Sequence, residues 1–498
     1  MPGRANAAAA PRPPSPLPRR LAVYQQLRGA IDAGTFAPGS RLPPSREQAI
    51  ALGVSRNTLL WALERLRAEG YVRARVGDGS YVSEALARAG TALGDGPDTA
   101  SRQPLPPPAS GPQALSRRGV LISDTGLAWQ PPLAPASAFR IGAPDTASFP
   151  FALWDRLQRQ ASTAQRQARA QYLDPAGLPA LREAIAQWLW VSRGVRCDAA
   201  QVLVTSGSQQ AIDLVARLLL DPGDQVLVED PGYGGIRASL ASHGAQVRPV
   251  PVDGDGLCID AASQRWPAAR LAVVTPTHQY PLGQHMSLDR RLALIAWARG
   301  QGAWLVEDDY DGEFQYGPHR TPALCSLPHG GRVLYIGTFS KSLHPGLRLG
   351  FIVLPTGLLP AFAAAKALSD RHSPGETQAA LARFITDGHL LRHLRRMRDL
   401  YRQRQGRLIQ GLADASDGAL RLAAQPHGMH LTAEIDARQD DQWLSQQAAA
   451  LGVWVAPLSR YALQSPRRGW LFGYAAYGEA ETAGALGRIA PLLRRALR

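Results

Sequence analysis

Beyond residue 139 the chain carries five short apolar runs: Gln201-Val202-Leu203-Val204-Thr205, Gln225-Val226-Leu227-Val228, Leu271-Ala272-Val273-Val274, Ala303-Trp304-Leu305-Val306 and Val333-Leu334-Tyr335-Ile336. Amphipathic stretches of helical period separate them. Short apolar strands alternating with helices predict an α/β fold with a mostly parallel central sheet covered on both faces. At 498 residues the chain is too long for one ordinary core. Three zones follow from composition: a compact, mainly α unit over 19–83, a flexible linker rich in Ala, Gly, Pro and Ser over 84–138, and the α/β domain over 139–498. The first twenty residues, rich in Ala, Pro and Arg, read as a disordered lead-in without the apolar stretch of a secretory signal. No run is long and apolar enough for a membrane span, and Cys197, Cys258 and Cys325 lack metal-ligand spacing, so free thiols in a reducing cytoplasm are expected.

Of the 55 Lys and Arg residues, only Lys341 and Lys366 are lysines. Arginine cannot lose its proton and attack a carbonyl; lysine can. Lys341 stands in Gly337-Thr338-Phe339-Ser340-Lys341-Ser342, directly after the last apolar run, with Arg348 close behind. Hydroxyls and an arginine beside a nucleophilic lysine point to a Schiff base with an aldehyde cofactor that carries a phosphate. Lys366, in Ala363-Ala364-Ala365-Lys366-Ala367-Leu368, reads as a leftover polar position on a helix.

Pyridoxal 5′-phosphate would make further demands. Its phosphate wants a helix N-terminus, hydroxyls and an arginine, which Thr205-Ser206-Gly207-Ser208-Gln209, Thr338, Ser340 and Arg348 offer. Its ring nitrogen wants a carboxylate, and Glu307-Asp308-Asp309-Tyr310-Asp311 lies just past a strand end, where open α/β sheets bind ligands. Tyr310 can donate to the phenolic oxygen, and Tyr233 offers a stacking face. Singly, the acids also fit a solvated loop or a Mg²⁺ site, the glycine turn a generic cap, and Tyr233 a core position. In this order at successive strand ends, all of them fit one cofactor.

The net charge of +15 favours a polyanionic partner, and the N-terminal unit fits that partner. From Arg19 to Ser83 it holds ten arginines against five acids. Ser45-Arg46-Glu47 opens one short helix and Ser55-Arg56-Asn57-Thr58 the next, across the turn Leu52-Gly53-Val54. That is helix-turn-helix spacing, with Arg56, Asn57 and Thr58 at the start of the recognition helix. Tyr71 to Val82, turning at Gly77-Asp78-Gly79, reads as a β-hairpin wing.

Arg41-Leu42-Pro43-Pro44-Ser45-Arg46, Leu52-Gly53-Val54-Ser55-Arg56-Asn57-Thr58 and Gly77-Asp78-Gly79-Ser80-Tyr81-Val82 resemble the winged helix of GntR-type transcription regulators. The resemblance implies double-stranded operator DNA as partner, touched by Arg41, Ser45, Arg46, Ser55, Arg56, Asn57, Thr58, Gly77 and Gly79. Trp61 in the recognition helix and Asp78 at the wing tip depart from the family pattern. Asp78 should weaken phosphate contact slightly.

The large zone resembles the fold-type I aminotransferases, whose Tyr…Gly-Leu-x-x-Leu-Arg segment is matched by Tyr172 and Gly177-Leu178-Pro179-Ala180-Leu181-Arg182. By that resemblance Lys341 is the Schiff-base lysine, Asp308 the ring-nitrogen partner, Tyr310 the phenolic-oxygen donor, and Ser208, Gln209, Thr338 and Arg348 the phosphate binders. Tyr172 would reach the phosphate of the neighbouring subunit. Two departures stand out. Thr275-Pro276-Thr277-His278-Gln279-Tyr280 replaces Asn-Pro-Thr-Gly, leaving His278 and Gln279 as substitutes for the asparagine. Trp470-Leu471-Phe472-Gly473 lacks the arginine that clamps a substrate carboxylate, for which Arg460 and Arg468 are candidate substitutes, neither assigned by the sequence. A winged helix joined through a long linker to such a domain resembles the MocR-type regulators. This implies a head-to-tail homodimer that senses an amine, an amino acid or pyridoxal phosphate itself; the rival expectation is a working aminotransferase with an appended DNA-binding domain.

Overall fold

The computed structural model describes residues 19–75, 78–85, 115–124, 138–164, 171–317, 321–420 and 422–497. The chain divides into two compact units, 1–110 and 111–498.

In the first unit, α1 (Arg19–Asp32), α2 (Ser45–Ala51) and α3 (Arg56–Ala68) precede a hairpin of β1 (Val72–Arg75) and β2 (Gly79–Val82). Val23, Leu27 and Ile31 of α1 recur at helical spacing and pack with the buried Leu59, Leu63 and Leu66 of α3. The hairpin pairs Val72 with Val82 and Arg75 with Gly79, and its apolar end closes the same core. Wing residue Gly77 lies outside the described residues, as do 86–114 and 125–137 of the expected linker. Within that linker, Arg117–Ser123 forms a helix capped by Ser116.

The second unit is built on an eight-stranded sheet whose strands are β3 (Val202–Thr205), β4 (Gln225–Asp230), β5 (Gln246–Asp253), β6 (Gly256–Leu257), β7 (Ala269–Val274), β8 (Trp304–Asp308), β9 (Val333–Thr338) and β10 (Gly350–Val353). Their spatial order is β3-β10-β9-β8-β7-β4-β5-β6. All five runs expected as strands are strands. β9, β8, β7, β4 and β5 are parallel, β10 runs antiparallel to β3 and β9, and β6 folds back on β5. The carboxyl ends of β3, β4, β7, β8 and β9 therefore share one edge. Along each strand, alternate residues join opposite cores: Val202 and Val204 face one, Leu203 the other; Leu227 faces one, Val226 and Val228 the other. Burial on both faces explains why these strands are apolar throughout instead of alternating with polar residues.

A second, antiparallel sheet of β11 (His430–Ile435), β13 (Arg468–Gly473) and β12 (Ala456–Pro457) sets His430 opposite Gly473. Among the described residues no helix is long and apolar enough to cross a membrane. The three cysteines are free.

Candidate functional site: a cavity at the carboxyl edge of the sheet

At the shared strand ends lies a cavity of about 380 Å³. Lys341 lines it from the short helix Phe339–Ser342, which begins where β9 ends and where Thr338 Oγ1 accepts from Ser340 N at 3.2 Å. Lys341 Nζ donates to Gly142 O at 2.7 Å. Burial pushes its ammonium below the usual lysine range, while Asp311 and Asp308 pull it back up. Gly142 has φ of 66°, which favours glycine, and a Cβ there would stand 2.5 Å from Nζ and so displace the Lys341 amine.

The acid run sorts itself by partner. Glu307 accepts from Leu324 N and Cys325 N at 2.9 and 2.8 Å, and Asp309 from Arg193 Nε and Tyr335 Oη at 2.7 and 2.6 Å. Asp311 Oδ2 meets His278 Nδ1 at 2.8 Å. Asp308 alone of the four lines the cavity, and its Oδ1 is buried without a hydrogen-bond partner. Burial, reinforced by Asp309, Asp311 and Glu229, pushes this carboxyl up to about 7. A buried acceptor without a donor is costly, so this oxygen fits a ligand N–H.

Tyr310 lines the cavity with its hydroxyl 2.9 Å from His278 Nδ1. His278 is buried, and desolvation lowers it to about 3, so it stays neutral at physiological pH. Tyr233 and Tyr280 add two walls, their rings crossed at 83° with centroids 5.6 Å apart.

At the opposite end Gly207 precedes the helix Ser208–Leu219, with φ of 124° and no side-chain cap. A Cβ at Gly207 would come within 3.4 Å of Arg348 Nη2, so the guanidinium lies over the helix start. Ser208, Gln209, Thr338 and Ser340 complete this cradle, a helix N-terminus with hydroxyls and a cation suited to phosphate. The Gln209 amide donates elsewhere, to Gly235 O at 3.0 Å and Ser239 Oγ at 2.7 Å, which leaves its backbone N–H for a ligand. The orphaned Asp308 oxygen, the buried amine and the phosphate cradle together fit pyridoxal 5′-phosphate.

Other expectations are placed differently. Tyr172 is 80% exposed, beneath Arg371, and does not line its own chain's cavity. Neither His278 nor Gln279 lines it; Gln279 donates to Pro231 O and Tyr280 O at 3.0 and 2.7 Å and so fastens its loop. Arg468 and Arg460 are also absent from the lining. Leu471 instead packs in an apolar cluster with Leu282, Leu458 and Ile141. Lys366 is no leftover on a helix face. It is fully buried and paired with Asp370 at 2.7 Å.

The residues that sequence reading missed are Ile141, Gly142, Met429 and His430. They reach the cavity because Gly473 N donates to Phe139 O and Tyr474 N to Met429 O, both at 3.1 Å. Such pairings between distant segments leave no local signal.

On the N-terminal unit, Arg41, Arg46, Ser55, Arg56 and Asn57 are exposed, and Ser45 and Thr58 half-buried. Ser55 caps α3, accepting from Thr58 N at 3.2 Å, with the two hydroxyls 2.8 Å apart. That cap fixes the helix start from which Arg56 and Asn57 project. Asp78 accepts from Tyr81 Oη at 2.7 Å and lies 3.6 Å from Arg41, so the wing-tip acid ties the wing together. Trp61 is half-buried, with the guanidinium groups of Arg20 and Arg65 over its ring.

Residues 139–487 match the family model for aminotransferase class I and II, and residues 19–82 that for bacterial regulatory proteins of the gntR family. A probable rhizopine catabolism regulatory protein, MocR, of Rhizobium meliloti is 38% identical over 92% of this chain and 90% of its own. The pyridoxine biosynthesis transcriptional regulator PdxR of Corynebacterium glutamicum is 30% identical over 94% of each. The solved α-aminoadipate aminotransferase LysN of Thermus thermophilus, bound to N-(5′-phosphopyridoxyl)-L-leucine, superposes with a TM-score of 0.70 at 26% identity, over 77% of this chain and 98% of that one.

Proposed function

The chain belongs to the MocR-type branch of the GntR transcription regulators, and from that premise we propose that it is a pyridoxal-phosphate-dependent, DNA-binding regulator whose aminotransferase-like domain senses an amine. When bound, the cofactor supplies an electrophilic aldehyde carbon that a primary amine can engage. Lys341 anchors it, Asp308 holds the ring nitrogen, Tyr310 faces the phenolic oxygen and Tyr233 stacks on the ring. The Gly207–Gln209 helix start, Thr338, Ser340 and Arg348 hold the phosphate. Tyr172, solvent-facing in its own chain, serves the partner's phosphate in a head-to-tail homodimer. Arg41, Ser45, Arg46, Arg56, Asn57 and Thr58 engage operator DNA, with Ser55 shaping the helix start.

One observation carries the sensing role. The helix Gly234–Ser242 starts at the cavity with Tyr233 and ends at His243, whose Nδ1 is 2.8 Å from Arg118 Nη2 on the helix of the linker. His243 Nε2 is held by Asp213 Oδ1 at 2.8 Å. This links the cavity to Arg118, in the segment that follows the DNA-binding unit in sequence. A ligand shifts that arrangement only if it binds two states with different affinity.

The test is a gel-shift titration of the chain's own upstream DNA with cofactor-loaded protein, with and without a panel of amines. Specific binding altered by one amine supports regulation. Sustained keto-acid production with an acceptor, and no specific shift, supports the rival reading of a working aminotransferase, which the intact cofactor end of the cavity favours.

A further inference from the structure

The two cations that line the cavity among the described residues, Lys341 and Arg348, both stand at its cofactor end. The far end is walled by Ile141, Met429, Tyr280 and His430. Behind it Leu471 fills an apolar cluster with Ile141. Of the neighbouring arginines, Arg467 pairs with Glu434 at 2.6 Å and Arg237 with Tyr461 O at 2.8 Å, while Arg460 stands near Tyr280 and Tyr461 without lining the cavity. A carboxylate placed there would be desolvated without a counter-charge among the lining residues.

His430 states what that end accepts. Its Nε2 lies 2.9 Å from Pro281 O, and since a carbonyl can only accept, Nε2 carries the proton. Burial holds the ring neutral, lowered to about 3. Nδ1 is therefore a bare acceptor, which repels a carboxylate and receives a hydrogen bond from a hydroxyl. We propose that the effector is a hydroxyl-bearing primary amine without a carboxylate, and that His430 is the residue that selects it. This rests on the reading that the cavity holds pyridoxal phosphate.

The experiment is calorimetric titration of the full-length, cofactor-loaded protein with matched probes: 2-amino-1,3-propanediol against serine, and 3-amino-1-propanol against β-alanine. Each amino alcohol should bind at least about tenfold more tightly than its acid, the scale of one hydrogen bond gained and one charge left unpaired. Equal or tighter binding of the acids overturns the proposal, and so does failure of both kinds to bind a protein that carries the cofactor. A protein that takes up no cofactor at all instead defeats the reading beneath it. Two variants read out selection and not folding. Ile141→Arg, which puts a cation on the cavity wall, should raise β-alanine binding and narrow or reverse the preference. His430→Phe should reduce the preference for the alcohols, and an unchanged ratio in both variants would overturn the assignment.

Discussion

Lys341 and Lys366 are the chain's two lysines; Lys366 is fully buried and Lys341 half-buried, and their surroundings differ completely. Lys366, on the helix Leu359–Ser369, spends its charge on Asp370, which also accepts from Gln210 Nε2 at 2.9 Å. Among the described residues Lys341 has only a backbone carbonyl at hydrogen-bond distance, and it shares its cavity with an unpartnered carboxylate oxygen and a phosphate cradle. Scarcity of lysine thus marks positions that arginine cannot fill, for two separate reasons. One needs a compact charge in a small buried space; the other needs an amine that can lose its proton.

The sharpest way to break that contrast is to remove each amine. Lys341→Ala should abolish the visible absorbance of the cofactor-loaded protein, whereas Lys366→Met should retain it; the reverse pattern would exchange their roles. Next in size is stability. Asp370→Ala strands the fully buried Lys366 ammonium and should cost about 3 kcal/mol in denaturant unfolding, while Lys366→Met, which removes the charge and leaves the exposed Asp370 hydrated, should stay within about 1 kcal/mol. Arg348→Ala removes a charge-assisted phosphate contact and should weaken cofactor binding about 10- to 100-fold by fluorescence titration.

A smaller effect concerns pH. Asp308 and Asp311, pushed up by burial to about 7 and about 8 from an ordinary 3.8, keep protons in the folded state that the unfolded chain has released. They therefore erode stability as pH rises from about 4 toward about 8. His278 and His430, lowered by burial to about 3 from an ordinary 6.5, act in the opposite sense, and only up to 6.5. The melting temperature of cofactor-free protein should therefore fall between pH 6.5 and 8, and Asp308→Asn should flatten the fall; a rising profile would contradict the burial of these acids. Smallest of all, Arg118→Ala should leave cofactor absorbance unchanged while reducing the amine's effect on DNA binding in the gel-shift titration.

The cofactor end was readable in sequence because its parts are local. A strand end, a glycine turn and the hydroxyls flanking Lys341 each occupy a few consecutive residues. The strands were readable because burial on both faces makes them apolar throughout. The far end was not readable: Ile141 and His430 are brought to one wall by backbone pairing of Gly473 with Phe139 and of Tyr474 with Met429, segments far apart in sequence. Lys366 was misread for a related reason, since an alanine-rich helix does not declare which of its faces is covered. The basic run from Arg392 to Arg407, on the helix His389–Ala415, is partly structural. Arg404 meets Asp145 at 3.0 Å, Arg407 meets Glu479 at 2.9 Å, and Arg396 donates to Ser148 O at 2.6 Å.

The central claim is that the cavity amine of Lys341 anchors pyridoxal phosphate. Borohydride reduction of the cofactor-loaded protein, followed by peptide mass spectrometry, tests it directly. The account predicts the reduced cofactor's mass on the peptide containing Lys341 and none on that containing Lys366. A label on Lys366, or on neither lysine in a protein that had taken up the cofactor, would contradict it.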